Sequence, residues 1–145
     1  MTKPSLARLH TTATWLLYQS TLRTDQKSLR VISTAGSRRY HYSVLAALDE
    51  FGPASQADLC RRCDIDRSDM NALVNGLAKQ RWVERTPDPG DKRRNIVTIT
   101  PAGRRQLHRL DRILSELDEE MFAPLSASEK HQLIDMLGRI LEHNA

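Results

Sequence analysis

The stretch from Ser55 to Thr100 constrains the fold of this chain more than any other part of it. Two segments with helical spacing lie on either side of a short break at residues 63–65. Two segments rich in β-forming residues follow, at residues 82–86 and 95–100, and dense turn chemistry at residues 87–91 separates them. The stretch therefore predicts a helix, a tight turn, a second helix and a hairpin, in that order.

The second helix carries the clearest local signals. Asp66 is expected to cap its N-terminus, because a carboxylate there can accept hydrogen bonds from the free N–H groups of the first turn. Ile65 and Met70 have the spacing of a hydrophobic staple across that cap. The remaining polar side chains indicate either a solvated face or a face that reads DNA, and the lack of the usual Glu/Lys mixture favours the second. A buried stripe is predicted from the apolar residues Met70, Leu73, Val74 and Leu77.

The hairpin carries three consecutive cations, at residues 92–94, just past its turn. A charged turn that only improves solubility would look the same, but cations beside a helix-turn-helix suit phosphate neutralisation and entry of an arginine into the minor groove. The two helices and the hairpin together predict a winged helix-turn-helix that binds DNA. The candidate DNA-contacting residues are Arg67, Ser68, Asp69, Asn71, Asn75, Lys92, Arg93 and Arg94.

Several motifs in this stretch resemble those of the MarR family of winged-helix transcriptional regulators. They are Ile65–Ser68 at the start of the second helix, Trp82–Arg85 in the first hairpin strand, Asp88–Arg93 in the turn and Val97–Gly103 after it. The resemblance is close over about residues 42–107 and looser over the flanking helices, and Asp69, Asn71, Ala72 and Gly90 depart from the family's pattern. It implies that Arg93 reaches the minor groove and that Asp91 orients Arg93.

Length and composition are those of a single domain. The chain has 145 residues, 39% of them hydrophobic and 28% charged, and we expect one domain over residues 1–145. We expect residues 38–105 to form the winged-helix DNA-binding portion, and residues 1–30 and 106–145 to form dimerisation helices. No apolar run approaches the ~20 residues of a membrane span, and the first residues have no signal-peptide core, so we expect a cytoplasmic protein.

Charge is unevenly distributed along the chain. The net charge is +4, with a basic excess before residue 106 and an acidic excess after it. Nucleic acid attracts the basic part and repels the acidic part, so the last helices should point away from DNA.

The segments outside the central stretch predict helices. One helix is expected from Leu6 to about Leu22, a connector or irregular helix extension over Leu29–Arg38, and another helix over Tyr40–Phe51 with Phe51 directed inward. The predicted fold class is therefore mostly α with a small β-hairpin wing, that is, a winged helix-turn-helix plus N- and C-terminal dimerisation helices.

Two further helices are predicted after the wing. Thr100 and Pro101 form a strong helix start, and the helix should reach about Phe122. Ser126 and Glu129 form a capping box at the start of the last helix. The expected buried face of that helix consists of Leu133, Met136, Leu137, Ile140 and Leu141.

The apolar stripes of these last helices need a surface to pack on. Packing against the first helix of the same chain is one solution, and packing against a second copy is the other. A two-fold dimer would also place two recognition helices in successive major grooves, about 34 Å apart. MarR-like proteins dimerise through their terminal helices, so the resemblance favours a homodimer.

Other chemistry has little support in the sequence. Cys60 and Cys63 are expected as thiols that pack in the core, with a redox switch as the less favoured alternative. Zinc requires four ligands, and no second Cys or His pair has matching spacing, so no metal or cofactor is expected. The histidines are scattered and no phosphate-binding glycine loop is present, so we do not expect an enzyme.

A group of aromatic and cationic residues lies in the first two predicted helices. MarR-like regulators bind small aromatic or phenolic anions between the dimerisation helices and the DNA-binding portion, and such a ligand would need cations for its charge and aromatic side chains for its ring. Ordinary core and interface packing is the alternative for each residue. The candidate ligand-binding residues are Trp15, Tyr18, Arg39, Tyr40 and His41.

The sequence thus favours a dimeric transcriptional regulator, expected to be a repressor that binds a pseudo-palindromic operator in double-stranded DNA and is released by a small aromatic or phenolic ligand. A winged-helix module that binds only proteins is one alternative. A regulator that responds to oxidation of Cys60 and Cys63 is another.

Overall fold

The computed structural model describes residues 6–145 and confirms the predicted fold class. Within these residues the helices are α1 (Ala7–His10), α2 (Ala13–Thr34), α3 (His41–Phe51), α4 (Gln56–Cys63), α5 (Arg67–Lys79), α6 (Pro101–Met121) and α7 (Ala127–His143). The strands are β1 (Ala54–Ser55), β2 (Val83–Asp88) and β3 (Asp91–Ile99).

The three strands form one antiparallel sheet with β3 in the centre. β2 and β3 form the predicted hairpin, with Val83 opposite Ile99 and Arg85 opposite Val97. The short strand β1 was not predicted, and it pairs Ala54 with Val97 on the other edge of β3. Because β1 leads directly into α4, this pairing ties the helix-turn-helix to the base of the wing.

The predicted helix starts are confirmed. The Asp66 carboxylate accepts hydrogen bonds from the Asp69 backbone N–H at 2.8 Å and from the Ser68 hydroxyl at 2.9 Å. The Thr100 hydroxyl accepts a hydrogen bond from the Gly103 N–H at 3.0 Å and begins α6. The capping box of Ser126 and Glu129 is also present. Local side-chain chemistry therefore sets where these helices begin.

The core lies where α3, α4 and α5 meet the sheet and the first half of α6. The stripe predicted on α5 is buried as expected, with Leu73 partly buried at its edge. The largest fully buried side chains of the core include Leu45, Leu48, Leu59, Met70, Leu77 and Leu110. The helix-turn-helix and the wing thus share one hydrophobic core, and this core fixes their relative orientation.

Three local predictions were wrong. The first helix, expected over Leu6 to about Leu22, is interrupted at Thr11 and then continues as α2 to Thr34; of the two alternatives for Leu29–Arg38, helix extension holds as far as Thr34. α3 starts at His41, because Tyr40 has a φ of 70° and cannot continue a right-handed helix. Phe51 is not directed inward: it is 59% exposed, and the guanidinium of Arg62 lies 4.9 Å from its ring centroid.

The terminal helices leave a large apolar surface uncovered in the single chain. None of the five residues expected on the buried face of α7 is buried, and Leu141 is 74% exposed. α2 has exposed apolar side chains as well, among them Leu16, Leu17 and Leu22. We call these exposed residues of α2 and α7 the terminal apolar surface. Intramolecular packing against the first helices, the alternative considered above, does not cover it.

No helix in the described part of the chain is both long enough and apolar enough to cross a membrane.

Candidate nucleic-acid interface

An open groove of about 1000 Å³ lies between the start of α4, the first turns of α5 and the start of β3. All of its charged lining residues are arginines: Arg61 on α4, Arg67 on α5, and Arg93 and Arg94 on the wing. Polar side chains that can bind base edges or phosphates line the rest, namely Ser55, Gln56, Ser68, Asn71 and Asn95. The N-termini of α4 and α5 also lie at this groove and add partial positive charge. The groove therefore suits a polyanion.

The groove brings together five of the predicted DNA-contacting residues, Arg67, Ser68, Asn71, Arg93 and Arg94. Lys92 is exposed on the wing but is not part of the groove lining. Asn75 lies one helical turn beyond Asn71 on the same side of α5, and its side-chain oxygen accepts a hydrogen bond from Arg85. Asp69 lies on a different side of α5 and lines another cavity.

Asp91 and Arg93 contact each other at the tip of the wing. Asp91 Oδ1 accepts a hydrogen bond from the backbone N–H of Arg93 at 3.0 Å and is 3.4 Å from Arg93 Nε. The Arg93 side chain is 92% exposed, so this ion pair is screened by solvent and adds little stability. The contact involves Nε of the guanidinium and leaves the rest of the Arg93 side chain exposed to solvent.

A second cavity, of about 620 Å³, lies between the α2–α3 connector and the opposite face of α5. Of the candidate ligand-binding residues, Arg39, Tyr40 and His41 line it, together with the cations Arg38 and Lys79. The α5 residues Asp69, Ala72 and Gly76 form the facing wall.

Trp15 and Tyr18 are not part of this cavity. The Trp15 ring packs against His10, with centroids 4.9 Å apart, and Tyr18 is 59% exposed on α2. Both residues were predicted with the group because they lie in the first two predicted helices, but α2 is long and places them away from the cavity. In the single chain, the predicted group is therefore divided in two.

Two hydrogen-bonded contacts shape the second cavity. Arg39 donates to both carboxylate oxygens of Asp25, at 2.5 and 3.0 Å, and this pair holds the connector against α2. His41 is buried, and its Nδ1 accepts a hydrogen bond from the Arg38 backbone N–H at 3.1 Å. Burial lowers the pKa of His41 below its usual value, and the nearby Arg38 charge lowers this pKa further. A neutral imidazole that accepts at Nδ1 carries its proton on Nε2.

The two cysteines are free thiols at the edge of the core. Cys63 Sγ lies 3.6 Å from the Ser43 carbonyl oxygen, and burial raises the pKa of the Cys63 thiol. A raised pKa reduces the thiolate fraction that oxidation requires, which agrees with a packing role. Within residues 6–145, no three His, Cys, Asp or Glu side chains are grouped so that they could hold a metal ion.

Comparison with known proteins gives the family. The model of the MarR family matches residues 37–94, which include α3, α4, α5, β2 and the tip of the wing. The HTH-type transcriptional regulator YxaD of Bacillus subtilis is 31% identical over 116 residues, which are 80% of this chain and 79% of YxaD. The chain belongs to the MarR family of transcriptional regulators.

Two other members of the MarR-type group extend the comparison. The HTH-type transcriptional repressor NicR of Pseudomonas putida is 29% identical over 101 residues, which cover 70% of this chain and 64% of the length of NicR. The transcriptional repressor CouR, solved bound to a 23-mer DNA duplex, superposes with a TM-score of 0.86 over 97% of this chain and 99% of that chain. At 22% identity, the likeness to CouR shows the fold alone.

Sequence reasoning missed half of the groove lining, namely Ser55, Ala57 and Asn95 and the two long polar residues Gln56 and Arg61. The last two are the most informative. Both lie on α4, and exposed polar residues on a short helix carry no periodic signal that separates them from an ordinary solvated face. The order of the elements could have identified them, because the first helix of a helix-turn-helix crosses the DNA backbone beside the recognition helix.

Proposed function

We propose that this MarR-family chain is a sequence-specific DNA-binding repressor that binds a pseudo-palindromic operator as a homodimer. The observation that carries the proposal is the groove between α5 and the wing, in which every charged lining residue is an arginine. Arginines neutralise phosphates and reach base edges, and the N-terminal turns of α5 present Arg67, Ser68 and Asn71 to the major groove. The wing arginine Arg93 then extends toward the adjacent minor groove. The name of the relative NicR supports repression rather than activation.

The terminal apolar surface supports the homodimer. Soluble monomers rarely leave so many large apolar side chains exposed on two neighbouring elements. A two-fold partner would cover the surface with the same residues of a second chain. Gel filtration at micromolar concentration should give about 33 kDa, twice the 16.5 kDa of one chain. Elution at the single-chain mass would contradict the dimer.

DNA binding is tested by titrating labelled DNA at several salt concentrations. Affinity should fall steeply with salt, and Arg93→Ala should weaken binding on all sequences and lower the salt slope by about one phosphate contact per subunit. Arg109→Ala is the matched control, because it removes an exposed arginine of α6 outside the groove lining. Equal affinity of wild type and Arg93→Ala would remove the wing from the interface. Absence of salt-dependent binding would favour the protein-interaction alternative.

Base recognition is tested by selecting binding sites from random DNA. Asn71→Ala should change the preference at one operator position by about 1–3 kcal/mol and leave the other positions unchanged, because a side chain on a base edge affects only the bases it touches.

We further propose that the second cavity binds a small aromatic or phenolic anion that releases DNA. The cavity offers Arg38, Arg39 and Lys79 for a negative charge and the Tyr40 ring for an aromatic group. A ligand there would contact α5 directly, and it would release DNA only if it bound the DNA-incompetent arrangement more tightly. Hydroxybenzoic acids at millimolar concentration should raise the melting temperature of the wild type and lower its DNA affinity. No thermal shift with any of them would contradict this role.

A further inference from the structure

Arg85 and Asn75 connect the wing to the recognition helix. Arg85 lies on β2 opposite Val97, and its Nη1 donates a hydrogen bond to Asn75 Oδ1 over 2.6 Å. Asn75 is exposed on α5, four residues after the groove residue Asn71, and is therefore on the same side of the helix one turn further along. The side chain that would next meet DNA along α5 is thus already bonded to the wing.

This hydrogen bond determines which end of the Asn75 amide faces the protein. A guanidinium can only donate, so the atom that meets Arg85 must be the amide oxygen. The amide nitrogen, with its two N–H donors, is directed away from the guanidinium. We propose that Asn75 contacts DNA only as a hydrogen-bond donor, and that Arg85 is the positioning residue that limits it to this role.

The arrangement affects base choice, because an asparagine that recognises adenine uses both ends of its amide. The oxygen accepts from adenine N6 and the nitrogen donates to N7. In this chain, the oxygen is drawn toward β2, and the positive charge beside it opposes the approach of a second donor such as the N6 amino group. The remaining suitable partners are acceptors. On a base they are N7 of guanine or adenine, guanine O6 and thymine O4, and on the backbone a phosphate oxygen.

Arg85 cannot easily release Asn75. Its Nε and Nη2 atoms are buried and find no hydrogen-bond partner among residues 6–145. Loss of the Asn75 oxygen would remove the partner of Nη1 from a guanidinium whose other two nitrogens are already buried without one, which is unfavourable. The Asn75 oxygen therefore stays with Arg85 when DNA approaches.

The inference rests on the proposed DNA-binding function and is tested on the operator obtained by site selection with wild-type protein. Asn75→Ala removes the whole amide, and Asn75→Asp keeps an acceptor for Arg85 but removes the donor. Asn75→Ala should weaken operator binding by about 2- to 10-fold, as expected for one hydrogen bond, and Asn75→Asp should weaken it further, because DNA also repels its carboxylate. The melting temperature of Asn75→Asp should not fall, since its carboxylate pairs with Arg85, and this separates the DNA effect from misfolding.

Modified operators identify the acceptor. Three substitutions are compared: 7-deazaguanine for guanine, 7-deazaadenine for adenine, and a methylphosphonate for one phosphate. At the contacted site, one of them should weaken binding of the wild type but not of Asn75→Ala, and it shows whether the acceptor is a purine N7 or a phosphate oxygen. Replacing adenine by purine, which lacks the N6 amino group, should change the affinities of wild type and Asn75→Ala equally. Asn71→Ala is the control for an asparagine of the same helix that lines the groove.

Arg85→Met gives an independent readout. It frees the Asn75 oxygen, so removal of an adenine N6 group should now weaken binding at the position opposite Asn75. The inference would be overturned if wild type, but not Asn75→Ala, depended on adenine N6, or if Asn75→Asp bound as tightly as wild type. A wild-type protein without salt-dependent DNA binding would instead defeat the proposed function, before any Asn75 variant is measured.

Discussion

Adding one methyl group at Gly103 should markedly lower the free energy of unfolding. Gly103 is the third residue of α6, and a Cβ there would overlap the Trp82 carbonyl oxygen and come within 2.9 Å of Ile99 Cγ1. Neither obstacle moves easily, because the Trp82 oxygen accepts a hydrogen bond from the Thr100 N–H at 3.0 Å and Ile99 is buried. We expect Gly103→Ala to push α6 away from the base of the wing.

The magnitude follows from two opposing effects. Alanine is favoured over glycine inside a helix by about 1 kcal/mol, which would stabilise the variant. Overpacking against a fixed neighbour typically costs about 1–3 kcal/mol and more when the neighbour is backbone. The overlap involves backbone, so the upper end applies and the free energy of unfolding should fall by a net ~1–2 kcal/mol. For a domain of this size, that corresponds to a melting temperature lower by about 3–8 °C.

The assay is thermal and urea unfolding followed by circular dichroism, with Gly76→Ala as the matched control. Gly76 lies inside α5, and a Cβ there would be 3.8 Å from His41 Nε2, an ordinary contact. Gly76→Ala should therefore be neutral or stabilising by up to ~1 kcal/mol. A Gly103→Ala variant as stable as the wild type or as Gly76→Ala would refute the reasoning.

Three further predictions concern the hydrogen bonds or protonation of individual side chains. Thr100→Val should lower the free energy of unfolding by about 1–2 kcal/mol in urea unfolding, because the Thr100 hydroxyl caps α6 and also donates to the Arg81 carbonyl at 2.7 Å. Tyr42→Phe should cost about 1 kcal/mol near neutral pH, since the Tyr42 hydroxyl donates to Asp111 at 2.6 Å. This hydrogen bond raises the pKa of Tyr42 to about 12, so the difference between wild type and Tyr42→Phe should shrink as the pH rises from 10 toward 12. In the folded state the pKa of His41 is lowered from 6.5, so as the pH falls the unfolded chain binds a proton at this residue before the folded chain does. At pH values below 6.5, the free energy of unfolding of the wild type should therefore decrease more than that of His41→Gln. Identical pH profiles would contradict this.

The helix-turn-helix was predictable because its signals are local. The cap at Asp66, the staple of Ile65 and Met70, and the turn before Asp91 depend on neighbours within a few residues. The connector was not predictable in this way. Its β-branched and hydroxyl residues favour helix weakly, but Ile32 is buried in the core and Leu29 packs against it, and this tertiary packing extends α2 to Thr34.

The groove was predicted better than the second cavity for the same reason. Ser68 and Asn71 are three residues apart and therefore share one side of α5, and Arg93 and Arg94 lie just past the turn of the hairpin, so local sequence signals were enough to predict both pairs. Asp69 was assigned to the groove by its position in sequence, but a rotation of about 100° per residue turns it toward the second cavity. Trp15 and Arg39 are separated by the whole of α2, and nothing local could place them relative to each other.

α5 is the element on which the proposed functions meet. One side of it is buried in the core at Met70, Val74 and Leu77, a second faces the arginine-lined groove, and a third forms the wall of the second cavity. The buried side restrains α5 as a rigid unit, because close-packed side chains do not deform gradually. A ligand that displaces the cavity side must therefore also displace the groove side, and no separate relay between ligand and DNA is required. The size of the effect is set by the difference in ligand affinity between the two arrangements, and each tenfold difference lowers DNA binding by at most about 1.4 kcal/mol.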